Sequence, residues 1–221
     1  MRAELTGRGA LVAVSILAAL LTCAACGGRM PTKRYYAIDD PPRPAAAAAN
    51  ASPVCEVPLV VASVMAAAPY RNDKIVFRSD AYEIRHFNYR LWVTPPDEMM
   101  HSLLIRTLDA SDLFPVVESY VHASSDHLAL YARIDAIEEI DTEDGWSARL
   151  AMSFHLKRSD ADDLLWRYEF DATEPVAEES IPAVVAALSG IYRAKTEELT
   201  AELRRFLATY PGCRPTPEPE E

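Results

Sequence analysis

Two cysteines stand in a C-x-x-C spacing at Cys23 and Cys26, within the stretch LLTCAACGGR. In a reducing compartment that spacing suggests a redox pair or half of a zinc site. Here it closes a mostly apolar run, ALVAVSILAALLTCAA, from Ala10 to Ala25. Arg2 and Arg8 form a positive start, partly offset by Glu4, and the run is short of the roughly 20 residues a membrane span needs. Ala24 and Ala25 lie directly before Cys26. A positive start, a short apolar run and small residues at its end make a secretory signal with a cleavage site. An uncleaved short anchor is the competing reading.

The sequence CAAC followed by GG resembles the bacterial lipobox, in which the cysteine after the small residues is diacylated and becomes the mature N-terminus. The resemblance implies lipid on Cys26 and loss of residues 1–25. Cys23 occupies the place where that pattern usually carries Leu. Lipid on Cys23 itself, with Thr22 before the cut, fits the pattern less well. Two or three acyl chains exceed the marginal binding of one and anchor a protein stably. Gly27 follows Cys26, where Asp retains enterobacterial lipoproteins in the inner membrane. By analogy the expected location is the periplasmic face of an envelope membrane, the outer one in preference to the inner.

Two further cysteines, Cys55 and Cys213, would then mature in an oxidising compartment, where such a pair usually forms a disulfide. Two separate free thiols are the alternative. A bridge would close a long loop, worth about 4–5 kcal/mol on the chain-entropy argument. No histidine clusters with either cysteine, so no metal site is expected. His86, His101, His122, His127 and His155 are scattered, with His127 and His155 at strand positions expected to face solvent. No H-E-x-x-H, G-x-S-x-G or P-loop occurs. The expectation is no enzyme and no cofactor beyond a covalent lipid. The formal net charge is −11. Without a basic stripe that balance argues against nucleic acid and against docking on anionic lipid by charge alone.

The elements that would position these residues follow from periodicity. TKRYYAID (residues 32–39) reads as a short strand, and the proline-broken DPPRPAAAAANASP (residues 40–53) as a linker. EVPLVVASVMA suggests a central strand, and KIVFRS and YEIRHFN two more. TPPDEMMHSLLIRTLDASDLF predicts a helix, with Thr94 as its cap, Pro95 and Pro96 in its first turn, and Asp97 and Glu98 favouring the dipole. Met100, Leu103, Leu104, Thr107 and Leu108 fall on one face. FPVVES returns to strand.

Strict alternation then recurs three times. Its apolar positions run Leu128 to Ala136, Trp146 to Leu156, and Leu164 to Phe170, always on even numbers. Three such runs predict an antiparallel meander with one wet face, turning at DTEDG and SDADD. A long helix follows, capped by Ser180, with an apolar stripe from Val184 to Tyr210 and its end at Pro211 and Gly212. The fold class is α+β: a mixed, largely antiparallel sheet, a mid-chain amphipathic helix, and a long C-terminal helix packed on one face.

The segment from Asp73 to Val117 carries an ordered set of residues. A strand ends in I-V-x-R, then come Y-x-I, Y-x-x-W, and a proline before an amphipathic helix. The set resembles the ABC-type transport auxiliary lipoproteins, which include the lipoproteins like paraquat-inducible protein C. The RYYAID strand matches that family's usual opening. The resemblance implies a non-enzymatic partner of an ABC permease, its ATPase and a mammalian-cell-entry (MCE) domain protein, moving phospholipid or other hydrophobic molecules across the envelope. It marks Arg78, Tyr82, Tyr89, Arg90 and Trp92 as the motif residues. They form a partner-binding or homo-oligomer surface on one reading. On the other, Tyr89 and Trp92 are core, and Arg78 and Arg90 satisfy local acids. A second functional class is an envelope scaffold lipoprotein that binds a periplasmic protein such as a cell-wall synthase. The expected organisation is a signal peptide (1–25), a lipidated N-terminus with short strand and linker (26–54), an α+β domain (55–213) and a disordered acidic tail (214–221).

Overall fold

A strand that buries one face needs alternating apolar and polar side chains, and that demand organises most of this chain. The computed structural model describes residues 31–39, 52–119, 126–159 and 163–213. The strands are β1 Arg34–Tyr36, β2 Leu59–Ala66, β3 Lys74–Arg78, β4 Ile84–Trp92, β5 Val117–Glu118, β6 Leu128–Thr142, β7 Gly145–Arg158 and β8 Leu164–Pro175. The helices are α1 Pro96–Asp109 and α2 Ile181–Leu207. The signal segment with Cys23 and Cys26, most of the linker, His122, the centre of the SDADD turn and the acidic tail lie outside the described residues.

The long β6 is the spine of one mixed, eight-stranded sheet. β7 pairs antiparallel along its whole length, and β8 extends the meander antiparallel to β7. The other edge of β6 is shared. β2 runs parallel beside Leu128–Ile134, and β3 parallel beside Glu138–Ile140. A single 3₁₀ turn, Ala68–Tyr70, lies between β2 and β3. Beyond this fork β5 adds parallel to β2, while β4 adds antiparallel to β3 and β1 parallel to β4. β1, which precedes the linker in sequence, is therefore part of the same sheet. Gly145 re-enters β7 at φ +112°, a conformation closed to other residues without strain.

Both helices cover the same face of the sheet. α1 packs on β2, β5 and β6, and α2 on β7 and β8. Thr107 Oγ1 and Tyr192 Oη, 3.2 Å apart, join the two helices in the core. Met100, Leu103, Leu104, Thr107 and Leu108 are all buried, as are Val184, Leu188, Tyr192, Leu199 and Leu203. Each such large apolar side chain contributes roughly 1.5–3 kcal/mol on leaving water. No helix among the described residues is long and apolar enough to cross a membrane.

Local departures from expectation have local causes. Ser180 caps α2 by accepting from the Ala183 N–H at 3.3 Å. Thr94 does not cap α1; the cap position is Pro95, which makes no side-chain bond. A residue before proline is held out of the helical region, so two successive prolines delay the helix to Pro96 and leave Thr94 a residue too early. α2 stops at Leu207, short of Pro211, and Pro211–Cys213 form a 3₁₀ turn.

The even-numbered alternation also slips twice. A bulge between Ile134 and Ala136 turns Ile137 and Glu139 toward the helices, opposite Leu150 and Ala148, and moves Ala136 to the other face. A second, between Leu156 and Lys157, pairs Lys157 with Leu164 and leaves Leu164 exposed, where an inward position is expected.

Candidate functional site

Cys55 and Cys213 are joined in a disulfide with Cα atoms 4.5 Å apart. Glu56 N–H donates to the Cys213 carbonyl at 2.8 Å beside it. The bond ties the entry to β2 to the turn beyond α2.

The β3–β4 hairpin carries the five motif residues, and Asp80 closes it. Its Oδ1 accepts from the N–H groups of Tyr82 at 2.6 Å and Glu83 at 2.7 Å, an Asx turn. Those bonds hold its carboxyl below the ordinary range. Tyr82, at the tip, is 97% exposed.

The same hairpin is clipped to the sheet by a buried carboxylate. Glu138 stands on the face away from the helices with its side chain wholly buried. Arg78 Nε donates to both its oxygens at 2.9 Å. Tyr70 Oη donates at 2.6 Å and Arg149 Nη1 at 3.0 Å. Arg149 reaches on to Asp171 with two further bonds, at 2.8 and 2.7 Å. A buried charge is tolerated when it is paired and its remaining lone pairs are filled, and Glu138 meets both conditions. The Tyr70 hydroxyl is pushed up to about 12 by burial and then by the Glu138 bond. Its two charged partners hold Arg149 above its usual value, chiefly through the bond to Asp171, whose carboxyl is lowered in return. Arg78 is lowered by burial, but the bonds to Tyr70 and Glu138 outweigh that and raise it. The cluster fastens β3, the 3₁₀ turn, β6, β7 and β8 at one point.

Glu139 next door is the opposite case. It is 1% exposed on the helix side of β6. Its Oε2 has no hydrogen-bond partner among the described residues. Burial, and then the charge of Asp141, push its carboxyl up to about 7.

The motif thus divides. Trp92 is 1% exposed and packs in the core, and Arg78 is spent on Glu138. Tyr89 is 43% exposed, and the Arg90 side chain makes no hydrogen bond or ion pair among the described residues. Arg90 lies opposite Arg34 in the parallel β1–β4 register. Both arginines line a groove of about 500 Å³, together with Tyr36, Phe87, Trp146 and the segment Glu178 to Pro182 that leads into α2. Arg34 and Glu138 were not marked by the motif. The signal for Glu138 is the IEEI stretch, which breaks the alternation of β6. His86 and His101 bond to the backbone carbonyls of Pro69 and Val61, each at 2.9 Å. Among the described residues no group of histidine, cysteine and acidic side chains could hold a metal.

Fold and site define an α+β domain whose available chemistry is charged and aromatic surface at a sheet edge. The chain belongs to the family of ABC-type transport auxiliary lipoprotein components, whose model matches residues 36–200. It is thereby a lipoprotein component of an ABC-type transport system, associated with the cell envelope. A crystal structure of a Xanthomonas campestris protein is similar in fold, with a TM-score of 0.65 and 20% identity, over 78% of this chain and 96% of that one. The crystal structure of an uncharacterized protein is similar at a TM-score of 0.61 and 17% identity, over 78% and 99%. Among curated proteins nothing matches.

Proposed function

We propose that this chain is the non-enzymatic auxiliary lipoprotein of an MCE-type ABC system that moves phospholipid or another hydrophobic molecule between membranes. In this reading residues 1–25 are removed and lipid on Cys26 tethers the protein to the membrane, residues 26–54 supplying the lipidated N-terminus, the short strand that joins the sheet and the linker. The domain from 55 to 213 works at the periplasmic face, in the outer membrane in preference to the inner, and 214–221 is a tail. The observation that carries the reading is the family match from 36 to 200. The exposed part of the β3–β4 hairpin supports it: Tyr82 and Tyr89 stay available for a partner, while Arg78 and Trp92 build their support. Aromatic side chains on a rigid strand are among the types that dominate protein interfaces.

The test is purification of the tagged, full-length lipoprotein from native membranes in mild detergent. The expected co-purifying proteins are an MCE-domain protein, its permease and its ATPase. Recovery of a cell-wall synthase with no MCE-domain protein would overturn the reading in favour of a scaffold. Cys26→Ser is expected to move the protein out of the membrane fraction. Retention there, with Cys23 intact, would defeat the anchor assignment.

A further inference from the structure

Arginine in this acidic chain is ordinarily matched. Arg78, Arg85, Arg133, Arg149, Arg158 and Arg167 each pair with a carboxylate. Among the described residues Arg34 and Arg90 form no ion pair, as Arg193 does not, and Arg71 and Arg204 bond only backbone carbonyls; Arg34 and Arg90 differ from these in standing side by side. They are direct cross-strand neighbours, and like charges placed opposite each other in a sheet destabilise it. Glu178 and Glu179 line the same groove as the two arginines, and neither forms an ion pair with them among the described residues. The rings of Tyr36, Phe87 and Trp146 line the same groove. The start of α2 adds little by itself, because Pro182 has no N–H and Ser180 already takes that of Ala183.

An anion-seeking pair, an acidic pair and aromatic rings in about 500 Å³ complement one kind of molecule: a zwitterion whose two charges are a few bonds apart. We propose that this groove binds the head group of a phosphatidylethanolamine-type lipid. The phosphate sits between Arg34 and Arg90, where guanidinium groups bind it strongly. The ammonium faces Glu178 and Glu179, against aromatic rings that attract cations. A second groove of about 420 Å³ shares Tyr36 and Pro182 with the first and is lined further by Ala37, Val185 and Ala186 and by the charged Asp39 and Arg193; its apolar wall takes the glycerol and the first acyl carbons. The membrane is the source of the ligand. Arg34 lies only eight residues on from Cys26, a chain length of roughly 29 Å at full extension. The site rests on the transport reading above and names the lipid that this subunit would touch.

The test uses the full-length lipoprotein in neutral detergent, with tryptophan fluorescence reporting on the groove through Trp146. Dihexanoyl phosphatidylethanolamine is expected to bind at least tenfold more tightly than dihexanoyl phosphatidic acid, phosphoethanolamine or inorganic phosphate. Arg34→Gln with Arg90→Gln is expected to weaken it tenfold or more, at a melting temperature no lower than the parent's, since the opposed like charges are removed. Glu178→Gln with Glu179→Gln is expected to abolish the preference over phosphatidic acid alone. Four outcomes would each overturn the site: no binding, binding unaffected by either pair of changes, inorganic phosphate bound as tightly as the lipid, or a glutamate-rich peptide bound in preference to it. Co-purification of the MCE-domain protein is measured separately. If it persists while lipid binding fails, the head-group site is lost and the transport reading stands.

Discussion

Replacing Glu139 by Gln tests the most unusual electrostatic feature of the sheet. The side chain is 1% exposed and one oxygen has no partner among the described residues. Its carboxyl is raised from 4.5 to about 7, first by burial and then by Asp141. An acid with a raised folded-state pKa binds its proton more tightly in the folded protein than in the unfolded one. Its stabilising effect is therefore complete below about pH 4.5 and is lost as pH rises through about 7. The gap corresponds to about 3 kcal/mol between the two ends of the window. Gln cannot titrate, so the parent loses stability relative to Glu139→Gln by that amount between pH 4.5 and pH 8.5. At about 2–4 °C per kcal/mol for a domain of this size, the melting temperatures should diverge by roughly 6–12 °C across the range. The assay is thermal and urea unfolding of both proteins at several pH values, without reductant so that the disulfide stays closed. Only the change in their difference matters, since the fixed cost of burying an amide cancels. Parallel stability profiles would refute the reasoning and mean that Glu139 is as ionised in the fold as in the unfolded chain.

Three other outcomes follow from the packing. Glu138→Ala strands Arg78, Arg149 and Tyr70 and should cost about 2–4 kcal/mol in urea unfolding, the lower end reflecting the partial solvation of both arginines; a loss under about 0.5 kcal/mol would mean the cluster is not a clip. Cys55→Ser with Cys213→Ser opens a loop of sequence separation 158 and should lower stability by about 5 kcal/mol on the chain-entropy argument, and an unchanged denaturation midpoint would contradict it. Trp92→Ala should cost about 3–5 kcal/mol, whereas Tyr82→Ala at the exposed hairpin tip should stay within about 0.5 kcal/mol; circular dichroism during thermal melting separates the two, and equal effects would deny the division of the motif.

Periodicity made the fold legible wherever a segment was long and half-buried. The β6–β7–β8 meander and the stripe of α2 could be read because one face meets solvent, and that contrast writes itself into alternate residues. The parallel pairing of β2 and β3 along one edge of β6 could not be read, because register between distant segments leaves no local pattern. The bulge at Asp135 was hidden for a related reason: Ala136 is apolar on either face, so the slip shows only at the two glutamates that follow. The motif marked the right hairpin but not the roles within it. Arg78 and Arg90 look equivalent in sequence, and only the fold shows that one meets Glu138 and the other meets Arg34.

The disulfide has a mechanical meaning. It makes residues 55–213 a covalent ring, and β1 hangs outside that ring on the linker. A load applied along the chain from its N-terminal side reaches the three register pairs between β1 and β4 before it reaches any part of the ring. Under tension β1 peels away first, as a fuse, and the ring keeps the rest of the sheet in shape. Because β1 carries Arg34 and Tyr36, pulling on the tether dismantles one wall of the groove and leaves the other standing.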